Sequence, residues 1–174
     1  MIQKCSNWIV LKEFLDDPLK KTFVRELSRN IKLAPTSVKI HLKELERVGL
    51  IKETEGLYKQ YSANFENEEF RFYKKINSLI KIHESGLIDY LNEKISPNAI
   101  ILFGSAAKGE DTAASDLDIY LNAEAKEVSL EEYEKKLKRK IQLFMYKDIN
   151  KAPKELRNNI INGIKLDGYI TIWS

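Results

Sequence analysis

The chain has 174 residues and is poor in several residue types at once. A single cysteine, Cys5, excludes an internal disulfide framework and any cysteine-rich zinc site. Two histidines, His41 and His83, are too few for a histidine-based metal centre. No apolar run approaches the ~20 residues that a bilayer span requires. The start, Met1-Ile2-Gln3-Lys4, lacks the basic and then apolar order of a signal peptide. These absences predict a cytoplasmic protein without a membrane partner. Net charge is also scarce, at +3. What is present suffices for folding: 43% hydrophobic residues can fill a core, and the length suits one large domain or two small ones.

The charge is unevenly spread. Residues 1–65 carry 12 Lys and Arg against 8 Asp and Glu, a balance of +4, whereas residues 99–174 carry 12 of each. The basic surplus therefore sits in the first third and hints at an anionic partner there. That third reads as helical. Trp8, Ile9, Leu11, Phe14 and Leu15 recur near helical spacing until Asp16-Asp17-Pro18 stops them. Phe23, Val24 and Leu27 form a second short amphipathic stretch. Ala34-Pro35 opens a third helix with Val38, Leu42 and Leu45 on one face, closed by Gly49. Two β-prone runs, 50–54 and 57–61, flank Glu55-Gly56 as a hairpin does.

Helix, helix, turn, helix and hairpin in that order resemble the winged helix-turn-helix family over about residues 5–64, with Leu45-Glu46-Arg47-Val48-Gly49-Leu50-Ile51 as the exit into the wing. The resemblance implies a recognition helix that exposes Thr36, Ser37, Lys39, His41 and Lys43 to DNA, with Lys52 and Lys59 of the wing near phosphates. The same lysines also fit a plain solvated face, and winged helices also serve as interaction modules. Residues 66–96 read as a helical connector with a stripe of Phe70, Tyr73, Ile76, Leu79 and Ile80, then Leu87, Ile88 and Leu91 after a break at Gly86. Its apolar face would pack on neighbouring segments or on a second copy of the chain, as in a homodimer.

The chemistry lies further on. Ala99-Ile100-Ile101-Leu102-Phe103 is a run of buried-strand type that leads directly into Gly104-Ser105, and Ser115-Asp116-Leu117-Asp118-Ile119 opens a second strand. Asp116 and Asp118 are two apart, so both carboxylates point to one face while Leu117 and Ile119 point to the other. Two like charges on one face call for a cation between them, and a hard divalent ion, Mg²⁺ or Mn²⁺, is the natural one. The Gly-Ser turn, with backbone N–H groups and a hydroxyl, suits a phosphate. A metal pair beside a phosphate cradle means phosphoryl or nucleotidyl transfer.

The pattern Gly-Ser-x3-Gly-x5-Ser-Asp-x-Asp, at Gly104, Ser105, Gly109, Ser115, Asp116 and Asp118, resembles the signature of the DNA polymerase β-type nucleotidyltransferase superfamily, in particular its minimal nucleotidyltransferases. The resemblance spans about residues 85–170. It implies an NTP substrate, transfer of NMP to an acceptor hydroxyl, and pyrophosphate release. It further implies that Asp116 and Asp118 hold the metal and act in catalysis, with Gly104, Ser105, Lys108, Gly109 and Ser115 at the nucleotide. Downstream, Ser129 to Leu137 reads as a helix with a Ser129–Glu132 capping box, followed by the basic run 135–140, the strand 141–146 and a helix from Pro153 to Asn162. Where the family carries a third carboxylate the chain has Gln142; Asp148 lies further along and substitutes only if the chain bends back.

The expectation is thus an α+β protein: a winged helix-turn-helix at 1–65, a helical connector at 66–96, and at 97–174 a nucleotidyltransferase-like α/β domain with a mixed sheet flanked by helices. Two functions fit. One is a nucleotidyltransferase with a DNA-binding winged helix. The other is a winged-helix transcriptional regulator whose second domain, weakened by Gln142, binds nucleotide or mediates assembly.

Overall fold

A computed structural model describes residues 5–54 and 58–170. The expected Glu55-Gly56 turn and the Met1–Lys4 start lie outside the described residues. The architecture is mixed α+β, and the chain divides into two compact units, Met1–Asn77 and Ser78–Ser174.

In the first unit α1 (Ser6–Asp16) buries Trp8, Val10, Leu11, Phe14 and Leu15. Helix α2 (Val24–Ile31) buries Leu27 and ends at Lys32 in the left-handed region. Helix α3 (Pro35–Arg47) carries proline in its first turn and buries Val38, Leu42 and Leu45. Past α3, Gly49 at φ +77° lets Leu50 N–H donate back to Leu45 O at 2.9 Å. Strands β1 (Ile51–Thr54) and β2 (Gln60–Ala63) pair antiparallel. A one-residue bridge, Thr22 to Tyr61, adds the segment before α2 to this pair through two 2.9 Å backbone bonds. The boundary between the units falls within α4 (Glu68–Ser85). In the first unit its Phe70 is fully buried, Tyr73 stacks edge-on against Trp8, and buried Lys74 donates to Leu15 O at 2.7 Å at the end of α1. Phe70 of the expected stripe is therefore core and Tyr73 is partly buried against Trp8, while Phe72 is half exposed.

The second unit is built on a four-stranded mixed sheet in the order β5-β4-β3-β6. Strand β3 (Ala99–Phe103) is buried throughout and runs antiparallel to β4 (Leu117–Leu121) and to β6 (Ile164–Gly168). Strand β5 (Ile141–Met145) runs parallel to β4. One face presents Ile100, Leu102, Leu117, Ile119, Leu121 and Ile141 to Ile82, to Leu87 and Leu91 of α5 (Leu87–Ile95), and to Leu137 of α7 (Glu131–Leu137). On the other face Ile101, Phe103 and Tyr120 pack with Ile149 of a 3₁₀ turn (Ile149–Lys151) and Ile160 of α8 (Lys154–Ile161). Gly86, at φ +79°, separates α4 from α5 as its sequence position implied.

The expected Ser129–Glu132 capping box does not form. Helix α7 starts at Glu131 after Leu130, with no side-chain cap, and the Ser129 carbonyl instead accepts the Tyr90 hydroxyl at 2.9 Å. Leu130, partly buried, packs against the apolar cluster immediately before the helix.

Candidate functional site

Strand β3 delivers the chain to a tight turn. After Phe103 the backbone passes through Gly104 at φ +72° into the five-residue helix α6 (Gly104–Lys108), which Gly109 closes at φ +73°. Ala106 is buried in the core beneath α6, leaving Ser105 half-buried and Lys108 exposed. Gly104 is required twice over. Its φ is left-handed, and a Cβ there would lie 2.2 Å from Asp118 Oδ2. The Asp118 carboxylate therefore sits directly against the backbone of the Gly-Ser turn.

Asp118 stands on β4 opposite Phe103 of β3, and by the alternation of the strand it shares a face with Tyr120 and with Asp116 just before β4. Asp116 is exposed and Asp118 half-buried. Burial holds the Asp118 carboxyl above its ordinary value; the charge of Asp116 adds to this, and Arg139 opposes it. At Asp118 the repulsion expected of two carboxylates on one face is thus present but second to burial, and the oxygen-only donor set is the chemistry of a hard divalent ion. Gln142 is the residue of β5 paired with Asp118, so the position expected for a third carboxylate lies beside the other two, exposed and uncharged. Among the described residues no group of three or more His, Cys, Asp or Glu comes together to hold a metal. Asp148 lies past the far end of β5, where its carboxylate accepts Asn150 N–H at 2.9 Å and caps the 3₁₀ turn, so it does not join the pair.

The loop between α6 and β4 is ordered by polar bonds. Thr112 N–H donates to Ser115 Oγ at 3.0 Å and Ser115 N–H to Thr112 O at 3.1 Å, so the Ser115 hydroxyl is engaged within the loop. Sequence reasoning missed Arg139. Its guanidinium, nearly buried, donates to Ser115 O at 2.7 Å, to Asp116 O at 3.1 Å and to the buried Asp111 carboxylate. The other lysines of the basic run behave as a solvated helix end: Lys136 pairs with Glu132 and Lys140 with Glu134. Nothing in composition separates Arg139 from these neighbours; it follows the left-handed turn at Lys138 that closes α7.

In the first unit Thr36, Lys39 and Lys43 are exposed on α3, as expected. Ser37 and His41, in contrast, are half-buried and face each other, Oγ to Nε2 at 3.3 Å. Lys59 forms an ion pair with Glu53 of β1. Ile40, 65% exposed between the two lysines, adds an apolar side chain to the same surface.

Among the described residues no helix is long and apolar enough to cross a membrane. Compared with curated proteins and with solved structures, the chain matches none. Residues 85–166, which contain both aspartates and the Gly-Ser turn, match the family model described as Polymerase beta, Nucleotidyltransferase.

Proposed function

We propose that the second unit transfers a nucleoside monophosphate from an NTP to an acceptor hydroxyl. One observation carries this reading: the Asp118 carboxylate lies against the Gly104 turn, on the face it shares with Asp116. Phosphates seated on Gly104 and Ser105 would therefore meet the two carboxylates. Lys108 and Gly109 complete the nucleotide side of the proposal, with Ser115 shaping the loop through Thr112. Asp116 and Asp118 would hold Mg²⁺ or Mn²⁺, which when bound supplies charge neutralisation at the phosphates. The acceptor oxygen bonds to the α-phosphorus, the bond from that phosphorus to the bridging oxygen breaks, and pyrophosphate leaves. The hydroxyl proton passes to water, because the Gln142 amide cannot serve as a base. The test is pyrophosphate release from each of the four NTPs with Mg²⁺ or Mn²⁺ and candidate acceptors. Turnover in the wild type and its loss in Asp116→Ala are expected; identical traces from both proteins under every condition would refute the reading.

For the first unit we propose a winged helix-turn-helix that binds DNA through α3. Exposed Thr36, Lys39 and Lys43 support it, and Lys52 and Lys59 of the hairpin are also exposed, Lys59 sharing its charge with Glu53. Ser37 and His41 contribute less to this surface, since each is occupied by the other. Replacing both Lys39 and Lys43 with alanine is expected to weaken binding to all sequences alike and to make the salt dependence shallower by roughly two counterions. Fluorescence anisotropy at several salt concentrations measures both. The regulator reading, in which the second unit binds nucleotide with little turnover, is favoured by one observation, the neutral Gln142 beside Asp118.

A further inference from the structure

We propose that Arg139 is the positioning residue of the carboxylate site, holding the loop 111–116 so that Asp116 and Asp118 present one metal-binding face. The inference rests on the nucleotidyltransferase reading above. The loop has nothing apolar to anchor it: Ala113 and Ala114 are exposed, and its deepest residue is Asp111, buried. Its order must come from polar bonds, and one guanidinium reaches both of its ends. Nη1 takes the Asp111 carboxylate at the start; Nε and Nη2 take the carbonyls of Ser115 and Asp116 at the close. Those two carbonyls bracket the Asp116 backbone, so Arg139 restricts the direction of the Asp116 side chain without touching it.

Geometry selects arginine for this task. Three acceptors in divergent directions match the planar fork of a guanidinium, and a lysine ammonium would satisfy only part of them. The side chains of Arg139 and Asp111 are 11% and 2% exposed, so water does little to screen or replace the pair. The loop amides supply direct reporters, because Thr112 N–H is bonded inside the loop to Ser115 Oγ and Leu117 N–H to Lys140 O at 2.9 Å beside Arg139.

The test combines amide hydrogen exchange with Mn²⁺ titration on the full chain, comparing wild type, Arg139→Lys and the milder Asp111→Asn, with melting temperatures taken for each. In both variants the Thr112, Ser115 and Leu117 amides should exchange faster while those of β3 do not change. Mn²⁺ should be held roughly tenfold more weakly, the usual scale for losing a group that orients metal ligands. Unchanged exchange at these amides overturns the proposal. So does faster exchange with unaltered Mn²⁺ affinity, which would make Arg139 merely structural. A wild type that holds Mn²⁺ no better than Asp116→Ala overturns the metal assignment itself, and with it the role given to the loop; the exchange result then still decides separately whether Arg139 holds the loop.

Discussion

Asp118→Asn is expected to abolish nucleotidyl transfer and, at the same time, to raise the melting temperature of the metal-free protein near neutral pH. Loss of activity follows from removing one of two carboxylates that face the Gly104 turn. The gain in stability follows from the direction in which the Asp118 carboxyl is displaced. Burial, and then the neighbouring Asp116 charge, hold it above its ordinary value of 3.8. The folded state therefore binds this proton more tightly than the unfolded state does. Its contribution to stability is fully present below pH 3.8 and is lost as pH rises through the elevated folded value. Asparagine is neutral throughout, so the two proteins should melt alike in acid, and the variant should move ahead as pH rises. Calorimetric melts across a pH series measure the difference. A saturating metal–nucleotide complex should reverse the order, because a ligand at one hundred times its Kd stabilises by about 2.7 kcal/mol whichever protein can bind it. Equal melting temperatures at every pH would remove the electrostatic account of the site.

The second large effect is in the other direction. Gln142→Asp should increase turnover by roughly 10²-fold or more, the scale on which a positioned general base contributes. Gln142 is paired with Asp118 across the parallel β4–β5 ladder and, by alternation, lies on the face of Asp116 and Asp118. An aspartate there would complete a third carboxylate at the site and provide a group to take the acceptor proton. Because position 142 is exposed, the new charge should lower metal-free stability only slightly. Steady-state pyrophosphate release with a pH–rate profile measures the result; the variant should gain a rising limb on the acid side. If turnover is unchanged, the regulator reading is strengthened and position 142 has no part in chemistry.

Much of the second unit was legible because its signals are local. An apolar run ending in Gly-Ser, and aspartates alternating with Leu117 and Ile119, encode a strand, a turn and a strand by period alone. The helices of the first unit were legible for the same reason, through Trp8 to Leu15 and Val38 to Leu45. What escaped depends on contacts distant in sequence. Arg139 lies among lysines, and only its meeting with Asp111, 28 positions earlier, distinguishes it. The Thr22–Tyr61 bridge is one residue long and leaves no periodic trace. The Ser129–Glu132 pattern was correctly spaced for a cap, yet the helix starts at Glu131, with Leu130 packed on the apolar cluster and the Ser129 carbonyl held by Tyr90, 39 positions earlier. Ser37 and His41 were read outward by helical position, but four residues apart on one face they bond to each other.

The amine of Lys74 has a bearing on how the chain can be divided. It reaches back 59 positions to the last buried turn of α1, and Asn77 donates to Asp16 at 2.7 Å from the same side. A fragment cut at residue 65, just past the hairpin, would strip α1 of both donors and of the Tyr73 ring against Trp8. The shortest self-sufficient piece of the first unit therefore includes the opening turns of α4, and expression boundaries drawn from the hairpin alone would yield a protein lacking part of its own core.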